Sequence, residues 1–118
     1  MAKRTVKTTK KTTKPVSKCC FVNFTVNTKN PIEEVYLIGN TKNLGAWETK
    51  KAVKMNKIDD NTFTLRKRFY LNTEVEYKVV ANKNWENVEK GIFAEEVENH
   101  HFNAEKGHFE DIFVHNFN

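Results

Sequence analysis

The chain has 118 residues, enough for one domain with a single hydrophobic core and too few for a second. Its net charge of +5 is unevenly distributed, because residues 1–18 hold seven basic residues and no acidic one, which leaves 13 basic against 15 acidic residues in the remainder. No apolar run approaches the roughly 20 residues of a membrane-spanning helix, so no such helix is expected, and the charge distribution excludes a uniformly basic body.

Residues 1–18 are built almost wholly from Lys, Thr, Ala, Val and Ser. This composition has too little apolar surface to offset the entropy of ordering, so we expect a disordered basic tail and a folded domain over residues 19–118. The tail either contacts a polyanion or serves as a solubilising segment. It lacks the apolar segment of a secretory signal, and the adjacent Cys19 and Cys20 cannot easily bond to each other. We therefore expect a cytoplasmic protein.

Short runs of alternating or clustered apolar residues, separated by turn residues, follow the tail and are typical of β-strands. The strands are expected at Cys20–Val26, Glu33–Ile38, Ala52–Met55, Thr62–Phe69, Glu74–Ala81, Val97–Phe102 and Phe109–Val114. Several short strands with turn signals between them, and no long amphipathic helix, predict an all-β sandwich or barrel.

A loop follows the second expected strand and carries the first tryptophan. Gly39–Asn40 is a turn pair that ends the strand, since both residues tolerate a positive φ. Gly45 then precedes Trp47 and allows the backbone to turn the indole outward. We interpret this stretch as a strand that delivers a tryptophan to a surface.

The second tryptophan, Trp85, also lies in a polar loop, which spans residues 82–96 and has room for one helical turn. Lys78 interrupts the apolar pattern of the preceding strand and faces out of it. Sugar rings stack their C–H faces on indoles, and their hydroxyls need donors such as an ammonium group. Each tryptophan alone could instead cover the core, and paired aromatic rings also stack nucleic-acid bases.

Five segments occur in a fixed order along the body of the chain. They are Val35–Tyr36–Leu37–Ile38–Gly39–Asn40, Leu44–Gly45–Ala46–Trp47–Glu48, Lys51–Ala52–Val53, Val75–Glu76–Tyr77–Lys78–Val79–Val80 and Trp85–Glu86. In this order they resemble the starch-binding domain of carbohydrate-binding module family 20, whose architecture related glycogen-binding modules share. The resemblance covers about residues 20–117. It implies an immunoglobulin-like antiparallel β-sandwich of seven to eight strands that binds α-1,4-glucans such as starch, glycogen and maltooligosaccharides without cleaving them.

The resemblance also implies the residues of the main sugar site. In the family this site consists of two tryptophans and a lysine, which match Trp47, Trp85 and Lys78. Glu86 follows the second tryptophan as in the family and either accepts from a sugar hydroxyl or braces the loop. The family also uses an asparagine after that tryptophan. Asn99 is the best match here, although the intervening stretch is longer and lacks the family's proline.

Other functions are less well supported by the residues. The acidic residues that catalysis would need cluster in one polar loop, where a solvated face is the ordinary explanation, so we expect no enzyme. These acidic residues are Glu86, Glu89, Glu95, Glu96 and Glu98. The four histidines match no metal-ligand spacing, and we expect no metal or cofactor. The alternative is a nucleic-acid- or polyanion-binding protein that uses the basic tail, although the net-negative body argues against it. The expected partners are an α-glucan and an enzyme of glycogen metabolism, with no membrane.

Overall fold

The computed structural model describes residues 18–117, which fold into two four-stranded sheets and one two-stranded sheet. The strands are β1 (Cys19–Thr28), β2 (Val35–Gly39), β3 (Val53–Lys54), β4 (Asn56–Asp59), β5 (Thr62–Tyr70), β6 (Glu74–Ala81), β7 (Glu89–Lys90), β8 (His100–Asn103), β9 (Phe109–Val114) and β10 (Asn116–Phe117). The predicted all-β sandwich is confirmed. The predicted basic tail falls outside the described residues, apart from its last residue.

The first sheet has the strand order β4-β5-β1-β9, and the second has the order β3-β2-β6-β8. Neighbouring strands are antiparallel except for β1 and β9, which run parallel. The small third sheet joins β7 to β10. The sandwich therefore has more strands than the seven to eight expected, because it includes three pieces of only two residues each.

The core between the two large sheets is formed by side chains at alternate positions of the strands. In β1 the side chains of Cys20, Val22, Phe24 and Val26 are all buried. The ring of Phe24 meets the ring of Tyr77 edge to face, with 5.3 Å between their centroids, and Phe102 packs against both. Edge-to-face pairs add to the stability that apolar burial provides, so the aromatic residues join the sheets into one core.

Only β6 and β9 have both expected ends, and β3 and β8 are each two residues shorter than expected. The segment Ala52–Met55 supplies only β3, after which the chain crosses to the other sheet as β4. All four β4 residues are exposed, so no alternation marks this strand in the sequence. The strand expected at Val97–Phe102 begins only at His100, and the carbonyl of Val97 accepts a hydrogen bond from Lys78.

Residues 18–117 contain neither a candidate membrane-spanning helix nor a candidate metal site. No helix in this range is long and apolar enough to cross a membrane. The same residues bring together no group of three or more His, Cys, Asp or Glu side chains that could hold a metal ion.

Replacement of a core ring should cost far more stability than the same replacement on the surface. Phe24 is fully buried, whereas Phe109 on β9 is 64% exposed. We expect Phe24→Ala to lower the free energy of unfolding by about 3–5 kcal/mol, because it leaves a cavity among the aromatic rings. Phe109→Ala should cost about 1 kcal/mol or less. Urea unfolding measures both, and equal losses would contradict the described core.

Candidate functional site

The site lies on the outer face of the second sheet, away from the core. The outward side chains of β2 and β6, Tyr36, Ile38 and Val80, form with Val88 a second buried cluster, here called the outer cluster. All five residues of β2 are buried as a result, which explains why this strand has a continuous apolar sequence and not an alternating one. Something must cover this face, and the Trp47 loop does so.

The loop after β2 turns through three consecutive residues with left-handed backbone. Gly45, Ala46 and Trp47 have φ angles of 89°, 49° and 65°. The backbone N–H of Trp47 donates to the carbonyl of Gly39 over 2.9 Å, which closes the loop at its base. The half-buried indole packs against the outer cluster. Non-glycine residues in this conformation each cost of order 1 kcal/mol, so the packing of the loop must offset local strain at the tryptophan itself.

Gly39 makes this loop possible by its close approach to β6. A Cβ atom added at Gly39 would lie 2.5 Å from the backbone oxygen of Glu76 and 2.9 Å from a methyl carbon of Leu44. Leu44 is fully buried and joins the main core. The end of β2 therefore needs glycine for space, whereas the sequence suggested only a need for backbone freedom.

Trp85 reaches the same place from a later part of the chain. It begins a single 3₁₀ turn, Trp85–Asn87, in which the side-chain oxygen of Asn84 accepts from the backbone N–H of Glu86 over 2.8 Å. The Trp85 side chain is 41% exposed, and its ring centroid lies 6.2 Å from that of Trp47. The two ring planes are tilted by 32°. The structure thus brings together the two tryptophans that the sequence selected.

Lys78 lies opposite Ile38 in the β2–β6 ladder and faces outward, as predicted. Its ammonium group donates to the carbonyl of Val97 and is half-buried. An ammonium group has three N–H donors, so two remain for other acceptors. The lysine therefore joins the loop 91–98 to the same face that carries the tryptophans.

Glu86 and Asn99 are both exposed and are held differently from each other. Glu86 contributes its backbone N–H to the Trp85 turn, and within residues 18–117 its carboxylate has no hydrogen-bond partner. Asn99 donates through its side-chain nitrogen to a carboxylate oxygen of Glu76 over 3.2 Å. This bond leaves the amide oxygen of Asn99 available.

The sequence interpretation was wrong about Glu89, which was counted among solvated acidic residues. Glu89 is only 4% exposed. Its carboxylate accepts from the backbone N–H of Val79 over 2.9 Å and meets Nε2 of His100 at 2.9 and 2.8 Å. Together with the bridge between Val80 and Val88, these bonds fix the segment after Trp85 to β6. No short-range pattern identifies such a residue, because its partners come from two other strands.

A second missed residue is Tyr36, which belongs to the outer cluster beneath Trp47. Its hydroxyl donates to Glu34 over 2.7 Å. This hydrogen bond, together with the charge of Lys54, lowers the pKa of Glu34. The ammonium group of Lys83 lies 5.9 Å from the Tyr36 ring centroid. The β-strand pattern of the sequence correctly predicted that Tyr36 is buried, but it gave no reason to place this residue under the site.

A β-sandwich that presents paired tryptophans and a lysine on one face has the make-up of a carbohydrate-binding module. Comparison with known families agrees. The family model described as Starch binding domain matches residues 19–110. The chain belongs to this family, carbohydrate-binding module family 20. No curated protein matches the chain.

Solved structures show the same fold. The family 20 module of the maltotetraose-forming amylase from Pseudomonas saccharophila STB07 is similar with a TM-score of 0.62 and 20% identity, covering 80% of this chain and 99% of that one. The Hypocrea jecorina glucoamylase gives 0.65 and 19%, covering 80% of this chain and 17% of the enzyme. The gamma-CGTase from alkalophilic Bacillus clarkii gives 0.58 and 23%, covering 84% and 15%. The chain thus spans less than a fifth of these two enzymes.

Removal of the Glu89 carboxylate should destabilise the domain. In Glu89→Ala the Val79 N–H and the His100 ring lose their shared partner, so we expect the free energy of unfolding to fall by about 1–3 kcal/mol. Glu89→Gln keeps an oxygen for Val79 and should lose less. Glu98→Ala, at an exposed glutamate of the neighbouring loop, is the control and should change little. Equal effects of Glu89→Ala and Glu98→Ala in urea unfolding would refute the anchoring role.

Proposed function

We propose that this domain binds α-1,4-linked glucans without cleaving them, by stacking successive glucose rings on Trp47 and Trp85. The observation that supports this most directly is the indole pair, with 6.2 Å between centroids and a 32° tilt between planes. Both rings are accessible, and Trp47 rests on a buried apolar floor. A rigid aromatic surface loses little side-chain entropy when a ligand binds, which favours a small, weakly held sugar.

The tilt between the rings favours a curved chain over a straight one. Two coplanar rings would match an extended, ribbon-like glucan, because its sugar faces lie in one plane. Rings inclined to each other instead match a chain that turns from one sugar to the next, as α-1,4-linked glucose does. The geometry of the pair therefore supports the α-linked polymer as the ligand.

Polar groups around the rings complete the proposed site. Lys78 uses one of its donors on Val97 and keeps two for sugar hydroxyls. Glu86, next to Trp85, offers a free acceptor, and the amide oxygen of Asn99 offers another. Hydroxyl groups both donate and accept, so such a mixture suits a sugar better than a purely anionic or apolar ligand.

We further propose that the natural ligand is intracellular glycogen and that the protein works in the cytoplasm, where it holds an enzyme of glycogen metabolism on the polymer. Both cysteines are free thiols, and Cys20 is buried in the core, which suits a reducing compartment. Burial raises the pKa of the Cys20 thiol and keeps it unreactive. Branched glycogen offers many chain ends, so several clustered copies would gain affinity through multivalency.

Calorimetric titration with maltoheptaose tests the proposal. We expect a Kd on the order of 10 µM to 1 mM, since few atoms are buried and water competes for the hydroxyls. Trp85→Ala should weaken binding about tenfold or more through lost stacking. Lys78→Met, which keeps the aliphatic stem and removes the donors, should also weaken it. Calorimetry avoids a readout from the tryptophans being replaced.

Two controls make the result specific. Phe113→Ala removes an exposed ring from the first sheet and should leave maltoheptaose binding unchanged. Cellohexaose contains the same glucose units in β-1,4 linkage, so it should bind far more weakly. Equal binding of the two sugars, or an unchanged Kd in Trp85→Ala, would rule out the proposed site.

A further inference from the structure

A second aromatic surface lies on the outer face of the first sheet, opposite the tryptophans. Tyr70 of β5, Phe21 of β1 and Phe109 of β9 are 60%, 47% and 64% exposed. In the β1–β5 ladder Phe21 lies opposite Arg68, and Tyr70 follows Arg68 by two residues. In the β1–β9 ladder Phe109 lies opposite Asn23, which follows Phe21 by two residues. The three residues are thus diagonal neighbours on three adjacent strands, and their side chains share the outer face of the sheet. We call Tyr70, Phe21 and Phe109 the diagonal platform.

Two arginines flank this platform. Arg68 lies opposite Phe21 in the ladder, and the Arg66 guanidinium lies 4.0 Å from the centroid of the Phe21 ring. Among residues 18–117, neither arginine has a carboxylate within 4.0 Å. The first acidic side chain on this face is Asp111, one outward position beyond Phe109. The platform is therefore locally positive although the body as a whole is net negative.

An open hollow of about 270 Å³ adjoins the Tyr70 end of the platform. Its only charged lining residues within the described part of the chain are Lys42 and Arg68. Thr41 and Thr73 also line it, but their hydroxyls donate to the side-chain oxygen of Asn43 and to the carbonyl of Tyr70. Lys42, like the arginines, has no carboxylate within 4.0 Å in residues 18–117. Two cations without an acid are suited to an anionic group such as a phosphate. We call this the basic hollow.

We propose that this face binds single-stranded nucleic acid, with bases stacked on the diagonal platform and a backbone phosphate in the basic hollow. An open four-stranded sheet with exposed rings and basic side chains can stack bases while cations hold the phosphates. The chain enters the face at Lys18, which follows six other basic residues and no acidic one. These basic residues add electrostatic attraction for the same polyanion.

Charge favours this ligand over the two other occupants of such a face. A second copy of the chain would bring the same unpaired cations toward each other, which is unfavourable in a symmetric contact. An acidic protein would satisfy the cations, but it offers no series of flat groups for the three rings. Nucleic acid supplies both planar bases and phosphates. This inference is independent of glucan binding.

Fluorescence anisotropy with a labelled oligothymidylate of about 12 nucleotides, in about 50 mM salt, tests the proposal on the full chain. An abasic oligomer of the same length is the comparison probe, because it keeps the phosphates and lacks the rings. We expect the oligothymidylate to bind more tightly than the abasic oligomer. Phe21→Ala and Phe109→Ala should each weaken its binding by about 5- to 150-fold, the range for lost base stacking. Arg68→Ala should weaken both probes and reduce the salt dependence by about one ion.

Phe113→Ala is the matched control, since Phe113 is 54% exposed on the same strand as Phe109 but outside the platform. It should leave binding unchanged, as should Trp85→Ala on the opposite face. Equal binding of the two probes, or unchanged binding in both platform variants, would overturn the proposal and leave only nonspecific attraction by the tail. Displacement by polyglutamate as effective as by unlabelled oligothymidylate would also overturn it. A further result would also overturn the proposal: the unmodified chain self-associates and binds no oligonucleotide, and both platform variants abolish the self-association.

Discussion

The two faces of strand β6 carry most of the organisation of this domain. Inward, Tyr77 is fully buried among the core rings, and its hydroxyl donates to Glu110 over 2.7 Å. Burial first, and this carboxylate second, raise the pKa of Tyr77 above its usual range. Outward, Lys78 and Val80 belong to the proposed glucan site. Because side chains alternate along a strand, a shift of one residue in the β2–β6 register would remove the core and the site together.

Two glutamate–histidine pairs, of which only Glu89 is fully buried, pack against the core rings. The His100 ring stacks on Tyr77 with 5.0 Å between centroids and bonds to Glu89, while His108 stacks on Phe102 and bonds to Glu110 over 2.6 Å. Buried polar groups cost stability unless each has a partner, so Glu89, the buried member, tolerates little change. The Glu89–His100 pair also restricts motion of the segment that follows Trp85, which matters because ordering a ring on binding would reduce affinity.

The sequence predicted those parts of the molecule that depend on local patterns. The alternating pattern predicted both ends of β6 and of β9 and the outward direction of Lys78. The family resemblance predicted that Trp47 and Trp85 lie together. The sequence failed where distant contacts decide the outcome. β4 has no buried side chain to mark it, and Glu89 is buried only because strands far along the chain supply its partners. Such partners leave no trace in local hydropathy.

The two exposed aromatic surfaces differ in how they are held, and this difference bears on their roles. The tryptophans sit on loops whose left-handed turn and 3₁₀ turn are each fixed by hydrogen bonds, so the angle between the rings is set by loop geometry. The diagonal platform instead takes its spacing from the ladder of a sheet, which repeats at fixed intervals. A tilted pair suits a ligand that curves, whereas rings on neighbouring strands of one sheet suit a ligand with repeating flat groups. The net charge of the body is an average over both faces, so it does not show that the platform face is locally positive.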